Sequence, residues 1–296
     1  VIAKSSKLNK VLVLMPSYGW LIVFCLLPLL LVFCISLSGV TDGIPPYTLF
    51  FGHNEIGEFQ IKPIYDSYSL LFSDSLYINA YLTSLKLAAI STFFILLIAY
   101  PIAYGIARAP HKWRNILLLL VIVPFWSSLL IRVYAWITIL KGNGLLNQWL
   151  MSWGIIDEPL VIMNTQIAVI LGIVYSYLPF MILPLYSALE KINPQLLEAA
   201  TDLGCPPFSA FVQITLPLSI PGIIAGSMLV FIPAVGEFVI PDLLGGSEIM
   251  TIGKVLWSEF FLNRDWPTAA AVTTIMTFAI ILPIIFVQHA IGKKEV

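Results

Sequence analysis

The chain has 296 residues, 59% of them hydrophobic and only 10% charged, with a net charge of -1 and a mean hydropathy of +0.95. Soluble domains carry roughly a quarter charged residues, so this composition excludes an ordinary soluble fold and indicates an integral membrane protein; the near-neutral charge without basic runs excludes a nucleic-acid surface. Three cysteines (Cys25, Cys34, Cys205) and three scattered histidines (His53, His111, His289) have neither metal nor disulfide spacing, so no metal site is expected.

Apolar windows of about 20 residues, the length that crosses a bilayer core, predict six spans at approximately 12–37, 81–107, 115–140, 166–189, 217–244 and 268–290, and no strands are indicated. The first is longer than the roughly 7 to 15 residues of a signal peptide's apolar region, and it reads as a membrane helix. Pro101, Pro124, Pro179, Pro184 and Pro233 predict kinked helices whose freed carbonyls find partners on neighbouring helices. With the N-terminus inside, nine basic residues (Lys4, Lys7, Lys10, Arg108, Lys112, Arg114, Lys191, Lys293, Lys294) face the cytoplasm and four (Lys62, Lys141, Lys254, Arg264) face outward. That asymmetry satisfies the positive-inside rule and places both termini and the 190–216 loop in the cytoplasm. The outer segments carry ten acidic residues, Glu55, Glu58, Asp157 and Glu248 among them. They read either as solvated loops or as a cation-attracting mouth. The long first outer loop, 39–80, is expected to fold against the membrane surface, and Trp149 and Trp153 to lie on a short interfacial helix.

Within the spans, Lys86, Trp126, Arg132, Tyr134 and Tyr177 carry groups that are unusual or amphipathic for hydrocarbon. After the fourth span comes a mixed segment. Asn193 can cap a helix whose first residue is Pro194, and Gly204 supplies a left-handed stop, so a helix is predicted over 194–203. Gln195, Glu198 and Asp202 fall on one side of it, Leu196, Ala199, Ala200 and Leu203 on the other. Pro206 and Pro207 then break the backbone, and a second short helix through Val212 is expected at an angle to the first.

Glu237 lies in FIPAVGEFVIPDLLGG, about two thirds of the way along the fifth predicted span. A carboxylate in hydrocarbon costs roughly 2.5 to 3.5 kcal/mol on insertion scales, so it must face protein or a water-filled cavity, and the surrounding Pro and Gly suggest a broken helix there. Two roles are open: Glu237 lines a pathway and meets a cationic substrate, or it forms a structural ion pair with Arg132 or Lys86, which fall at similar depth. Asp242 can act beside it, and Trp126, Tyr134 and Tyr177 can offer aromatic faces to an alkylammonium ion. Gly222 and Gly226 form a GxxxG spacing read as packing within the subunit. No GxxxxGK[ST], no GxSxG and no paired intramembrane aspartates occur, so neither ATP hydrolysis nor another enzyme activity is expected of this chain.

Glu198, Ala199 and Ala200, then three residues, Gly204, nine residues, Ile214, one residue, Leu216 and Pro217 resemble the EAA loop of bacterial ABC importer permeases at every marked position. The runs 117–136, 178–192 and 264–267 resemble polyamine importer permeases, and 230–246 resembles the putrescine-type member of that group. The resemblance implies an all-α membrane protein of six transmembrane helices with the type I importer permease (MetI-like) fold, residues 1–296 forming one permease domain of a bacterial inner membrane. It further implies that Glu198, Ala199, Ala200, Asp202 and Gly204 belong to cytoplasmic coupling helices that dock on an ATPase. The partners it implies are a second related permease, two ATP-binding subunits that hold the ATP and Mg, a periplasmic polyamine-binding protein and the lipid membrane; no cofactor is implied in this chain itself. The cargo would be putrescine or spermidine. The rival reading is a gradient-driven secondary transporter or channel for an organic cation, against which no internal repeat is found.

Overall fold

Inside hydrocarbon every backbone N–H and C=O must be satisfied by the segment itself, which makes a helix the open-chain solution. The computed structural model describes residues 14–53, 59–61 and 63–292, with side chains described for 14–50 and 63–281. The expectations placed on Lys4, Lys7, Lys10, Glu55, Glu58, Lys62, Lys293 and Lys294 lie outside these residues. Helix α1 is Leu14–Ser36, with a π-helical turn at Ile22–Leu26. Strands β1 (Gly39–Val40), β2 (Tyr47–Thr48), β3 (Phe51–His53) and β4 (Phe59–Ile61) precede α2 (Asp66–Ser73), α3 (Ser75–Arg108), α4 (His111–Ile122) and α5 (Leu129–Leu140). Then come α6 (Leu145–Ser152), α7 (Gln166–Glu190), α8 (Pro194–Asp202), α9 (Pro207–Val235), α10 (Val239–Leu244), α11 (Ile252–Trp257) and α12 (Trp266–Gly292). Five segments, α1, α3, α5 with α6, α7 and α9, are long and apolar enough to cross a bilayer. Helix α12 has 27 residues, about 40 Å of rise, which also suffices.

Two features depart from the sequence reading and a third follows it. The predicted span 115–140 is two 12-residue helices, α4 and α5, separated by a 3-10 turn at Val123–Trp126 and an extended Ser127. Pro124 has no N–H to give the helix, and the Ser127 hydroxyl donates to the Pro124 carbonyl at 2.7 Å, a local bond that competes with helix continuation. The predicted span 217–244 ends at Val235 and restarts as α10, the broken helix that the Pro and Gly around Glu237 suggest. Strands also exist: β1 pairs antiparallel with β2, and β3 with β4, across a loop rich in β-branched and aromatic residues.

The chain forms two units by contact, one comprising 1–78 and 255–296, the other 79–254. In the first, α12 packs on α1 and α2. Only 6% of the apolar window of α1 is buried, so this helix presents most of its surface outward. The loop of strands is tied down at its edges, where Ile64 N–H donates to Leu37 O at 2.9 Å and the Tyr68 and Ser36 hydroxyls lie 2.7 Å apart. Phe260 stacks on Trp266 at 4.9 Å, and the Tyr77 hydroxyl donates to Glu259 at 3.0 Å.

In the second unit α7 is the central rod, with 44% of its window buried against 33% for α3 and for α9. Helix α9 lies directly against it because Gly222 and Gly226 carry no side chain there: a Cβ would stand 2.5 Å from Ala188 Cβ at the first and 2.7 Å from Met181 Sδ at the second. Gly172 of α7 leaves the corresponding room for Ile240 and Leu244 of α10. Tyr100 of α3 and Ser219 of α9 meet hydroxyl to hydroxyl at 2.9 Å. Arg114 of α4 reaches Glu190 at the end of α7 at 2.7 Å while donating to Ala107 O at 3.0 Å.

Candidate functional site

The segment after α7 is organised by local chemistry. The Asn193 side chain accepts from Gln195 N–H at 3.0 Å, Pro194 occupies the first helical position, and α8 follows. Its end is a Schellman motif: Gly204 sits at φ +78, its N–H donates to Thr201 O at 2.9 Å, and Cys205 N–H donates to Ala200 O at 2.9 Å. Glu198, Ala199, Asp202 and Gly204 are exposed, and of the side expected to be dry (Leu196, Ala199, Ala200, Leu203) Ala200 alone is buried, so the tip is wet over most of its surface. Leu203 and Phe208, 88% and 78% exposed, flank that tip. The second half differs from the expected angled helix. From Pro207 the chain is helical into α9 without interruption, and a π-helical turn at Phe211–Thr215 takes up the change in register. Phe211 packs edge-on against Tyr100 and Tyr104 of α3 at 5.6 and 6.1 Å, which fixes this turn on the second unit's long helix.

The other site is the gap between α9 and α10. Gly236 ends α9, and Gly253 allows α11 to approach so closely that a Cβ would lie 2.7 Å from both the Gly236 and Glu237 carbonyls. Glu237, 9% exposed, turns its carboxylate back over the start of α10: Oε1 accepts from Val239 N–H at 3.0 Å and Ile240 N–H at 3.3 Å, and Oε2 accepts from the Tyr177 hydroxyl. Two backbone donors at a helix start and one phenol thus solvate the anion in place of water. Among the described residues no cation pairs with it. The Arg132 guanidinium lies over the Phe125 ring at 4.9 Å, its Nε and Nη1 buried without a hydrogen-bond partner, and Lys86 is exposed on α3. The ion pair, one of the two roles open for Glu237, is therefore not formed among the described residues, where hydrogen bonds hold the carboxylate and a ring face holds the arginine.

Of the other sequence candidates, Tyr177 joins Glu237, whereas Trp126 and Tyr134 are 77% and 57% exposed. Asp242 lies 3.6 Å from the Lys254 ammonium, which also donates to Gly246 O at 2.8 Å. Sequence reasoning passed over Phe125 and Phe180, which stand edge to face at 5.2 Å, Phe180 being 6.0 Å from Tyr177. Together they link Arg132 to the carboxylate site through rings. Apolar aromatics in an apolar span carry no distinguishing signal. Lys254, expected in the outer segment between the fifth and sixth spans, lies on α11 beside Asp242.

Comparison with known proteins shows the family and the fold. Residues 89–295 match the family model described as binding-protein-dependent transport system inner membrane component. The spermidine/putrescine transport system permease protein PotB of Haemophilus influenzae is 43% identical over 93% of this chain and 91% of that protein, and its Escherichia coli counterpart is 42% identical over 88% of this chain and 89% of that protein. A crystal structure of a bacterial ABC transporter that imports the acidic polysaccharide alginate superposes with a TM-score of 0.70 at 18% identity, covering 98% of this chain and 97% of that one, which shows the fold. The all-α membrane fold expected from the sequence is thus the observed one, an inner-membrane multi-pass chain, and the chain belongs to the family of inner membrane components of binding-protein-dependent transport systems.

Proposed function

We propose that the chain is a permease subunit of an ATP-driven importer that carries polyamines, putrescine or spermidine, into the cytoplasm. The observation that carries this reading is 43% identity along nearly the whole chain to a protein named for spermidine/putrescine transport. The functional unit pairs this chain, acting as one permease domain, with a second related permease. Two ATP-binding subunits hold the ATP and Mg, and a periplasmic binding protein delivers the cargo. Both termini and the α8 tip face the cytoplasm, in keeping with the charge asymmetry of the loops. Glu198, Ala199, Ala200, Asp202 and Gly204 form the contact with the ATPase, Gly204 allowing the turn that exposes it. Along the pathway Glu237 supplies negative charge for a substrate of two or more ammonium groups, with Tyr177 beside it, and Asp242, Trp126 and Tyr134 contribute further anionic or aromatic contacts.

The deciding experiment is uptake of labelled putrescine and spermidine into vesicles containing the reconstituted complex. Uptake should require ATP together with the binding protein, and Gly204→Asp should insert normally but abolish it, since a Cβ at φ +78 is strained and a charge is added at the contact. Uptake driven by an ion gradient without the ATPase would establish the secondary-transporter reading instead.

A further inference from the structure

We infer that the hydrogen bonding of Glu237 makes its site selective for a terminal alkylammonium over a guanidinium, and that Tyr177 is the residue that sets this selectivity. The inference rests on the proposed role of Glu237 in the pathway.

An ionised carboxylate offers about four acceptor positions, two on each oxygen. On Oε1 both are taken, by Val239 and Ile240 N–H at 3.0 and 3.3 Å. On Oε2 one is taken by the Tyr177 hydroxyl. One position remains on the whole group. An alkylammonium is a compact donor that addresses any one acceptor oxygen with a single N–H, and the remaining position serves it fully. A guanidinium gains its advantage from a fork of two parallel N–H groups, placed either across both carboxylate oxygens or convergent on one. Across both oxygens it is blocked by the two backbone donors, which the start of α10 fixes in place. On Oε2 alone it is blocked by Tyr177. A guanidinium therefore binds with half its fork unused and the unused N–H stripped of water.

Removing the phenol oxygen changes this in one direction only. In Tyr177→Phe, Oε2 has two free positions, which a guanidinium fork can span, whereas a single ammonium cannot aim two of its N–H bonds at one oxygen. The aromatic ring, its 6.0 Å approach to Phe180 and the cap of α10 by Oε1 are all retained.

The test is equilibrium binding of 1,4-diaminobutane and its bis-guanidino analogue, in which neither end is an amine, to the purified permease–ATPase complex without the delivery protein. The wild-type complex should favour the diamine by about tenfold, the worth of one charge-assisted hydrogen bond. Tyr177→Phe should bring the ratio to within about threefold by strengthening guanidinium binding, and Tyr177→Met, which lacks the same donor, should shift it the same way. A wild-type complex that binds both equally, or a ratio unmoved in both variants, overturns the inference. Glu237→Gln addresses the underlying reading separately: if that change leaves diamine binding intact, Glu237 is not a substrate contact at all.

Discussion

Glu237 is a buried carboxylate held by two backbone N–H groups and one phenol hydroxyl. Glu237 was conspicuous in the sequence because a charge in an apolar span needs a reason, and its depth followed from counting residues. Its partners did not follow, because sequence gives position along a helix and not which helix face meets which neighbour. Tyr177 lies 60 residues away, and the backbone donors exist only because the helix breaks at Gly236. Arg132, the obvious electrostatic mate, sits instead on Phe125, where a ring face offers a cation an attraction without a second desolvated charge. The two charges therefore act independently. Glu237→Gln should lower polyamine uptake by roughly tenfold or more with assembly retained, and adding Arg132→Gln should give no rescue. Recovery of uptake in the double variant would reveal a charge pair.

At the scale of elements, what was legible was what is written locally. The Asn193 cap, Pro194 and Gly204 are contiguous signals, and α8 formed within a residue of its expected limits. The division of the third span at Ser127 depended on a side chain bonding its own backbone, and the short strands depended on pairing partners within the loop; neither has a local periodic signature. The α7–α9 contact lies between, since GxxxG suggests close packing without naming the partner. Alanine should distinguish packing glycines from idle ones. In a helix interior Gly→Ala ordinarily stabilises by about 1 kcal/mol. At Gly105 of α3, where a Cβ meets nothing within 4 Å, that gain should appear as an unchanged or raised melting temperature. At Gly222 the new methyl group would stand 2.5 Å from Ala188 Cβ and 3.0 Å from Pro184 O, so overpacking of about 1–3 kcal/mol should prevail and lower it. Equal melting behaviour of the two variants in detergent would show that α9 is not held by this contact.

For the molecule as a whole, the apolar runs and the loop charges were readable because bilayer thickness and the positive-inside rule act on composition alone. The break of the fifth span beside Glu237 was legible from the Pro and Gly around it. The continuity of Pro207 with α9 was not, because it turns on how prolines are accommodated by neighbouring helices. Orientation has a built-in probe. Cys205, partly exposed, is part of the α8 tip, while Cys25 and Cys34 lie within α1. A membrane-impermeant maleimide should label Cys205 in inside-out vesicles and leave it unlabelled in intact spheroplasts, and the ATPase should protect it. Labelling from the outer face would reverse the topology.

The unbroken course of α9 joins the turn that follows α8 to the one that holds Glu237. Its 29 residues span about 43 Å, and the glycine contact with α7 at Gly222 and Gly226 falls inside that length, about 26 Å from Pro207 and 17 Å from Val235. Pro221 and Pro233 lie inside this helix and a π-helical turn lies at Phe211–Thr215, and a helix bends most readily at such points. A displacement at the Phe208 end is therefore divided between bending at those points and movement about the packed glycines, and only the second part reaches the turn that carries Glu237.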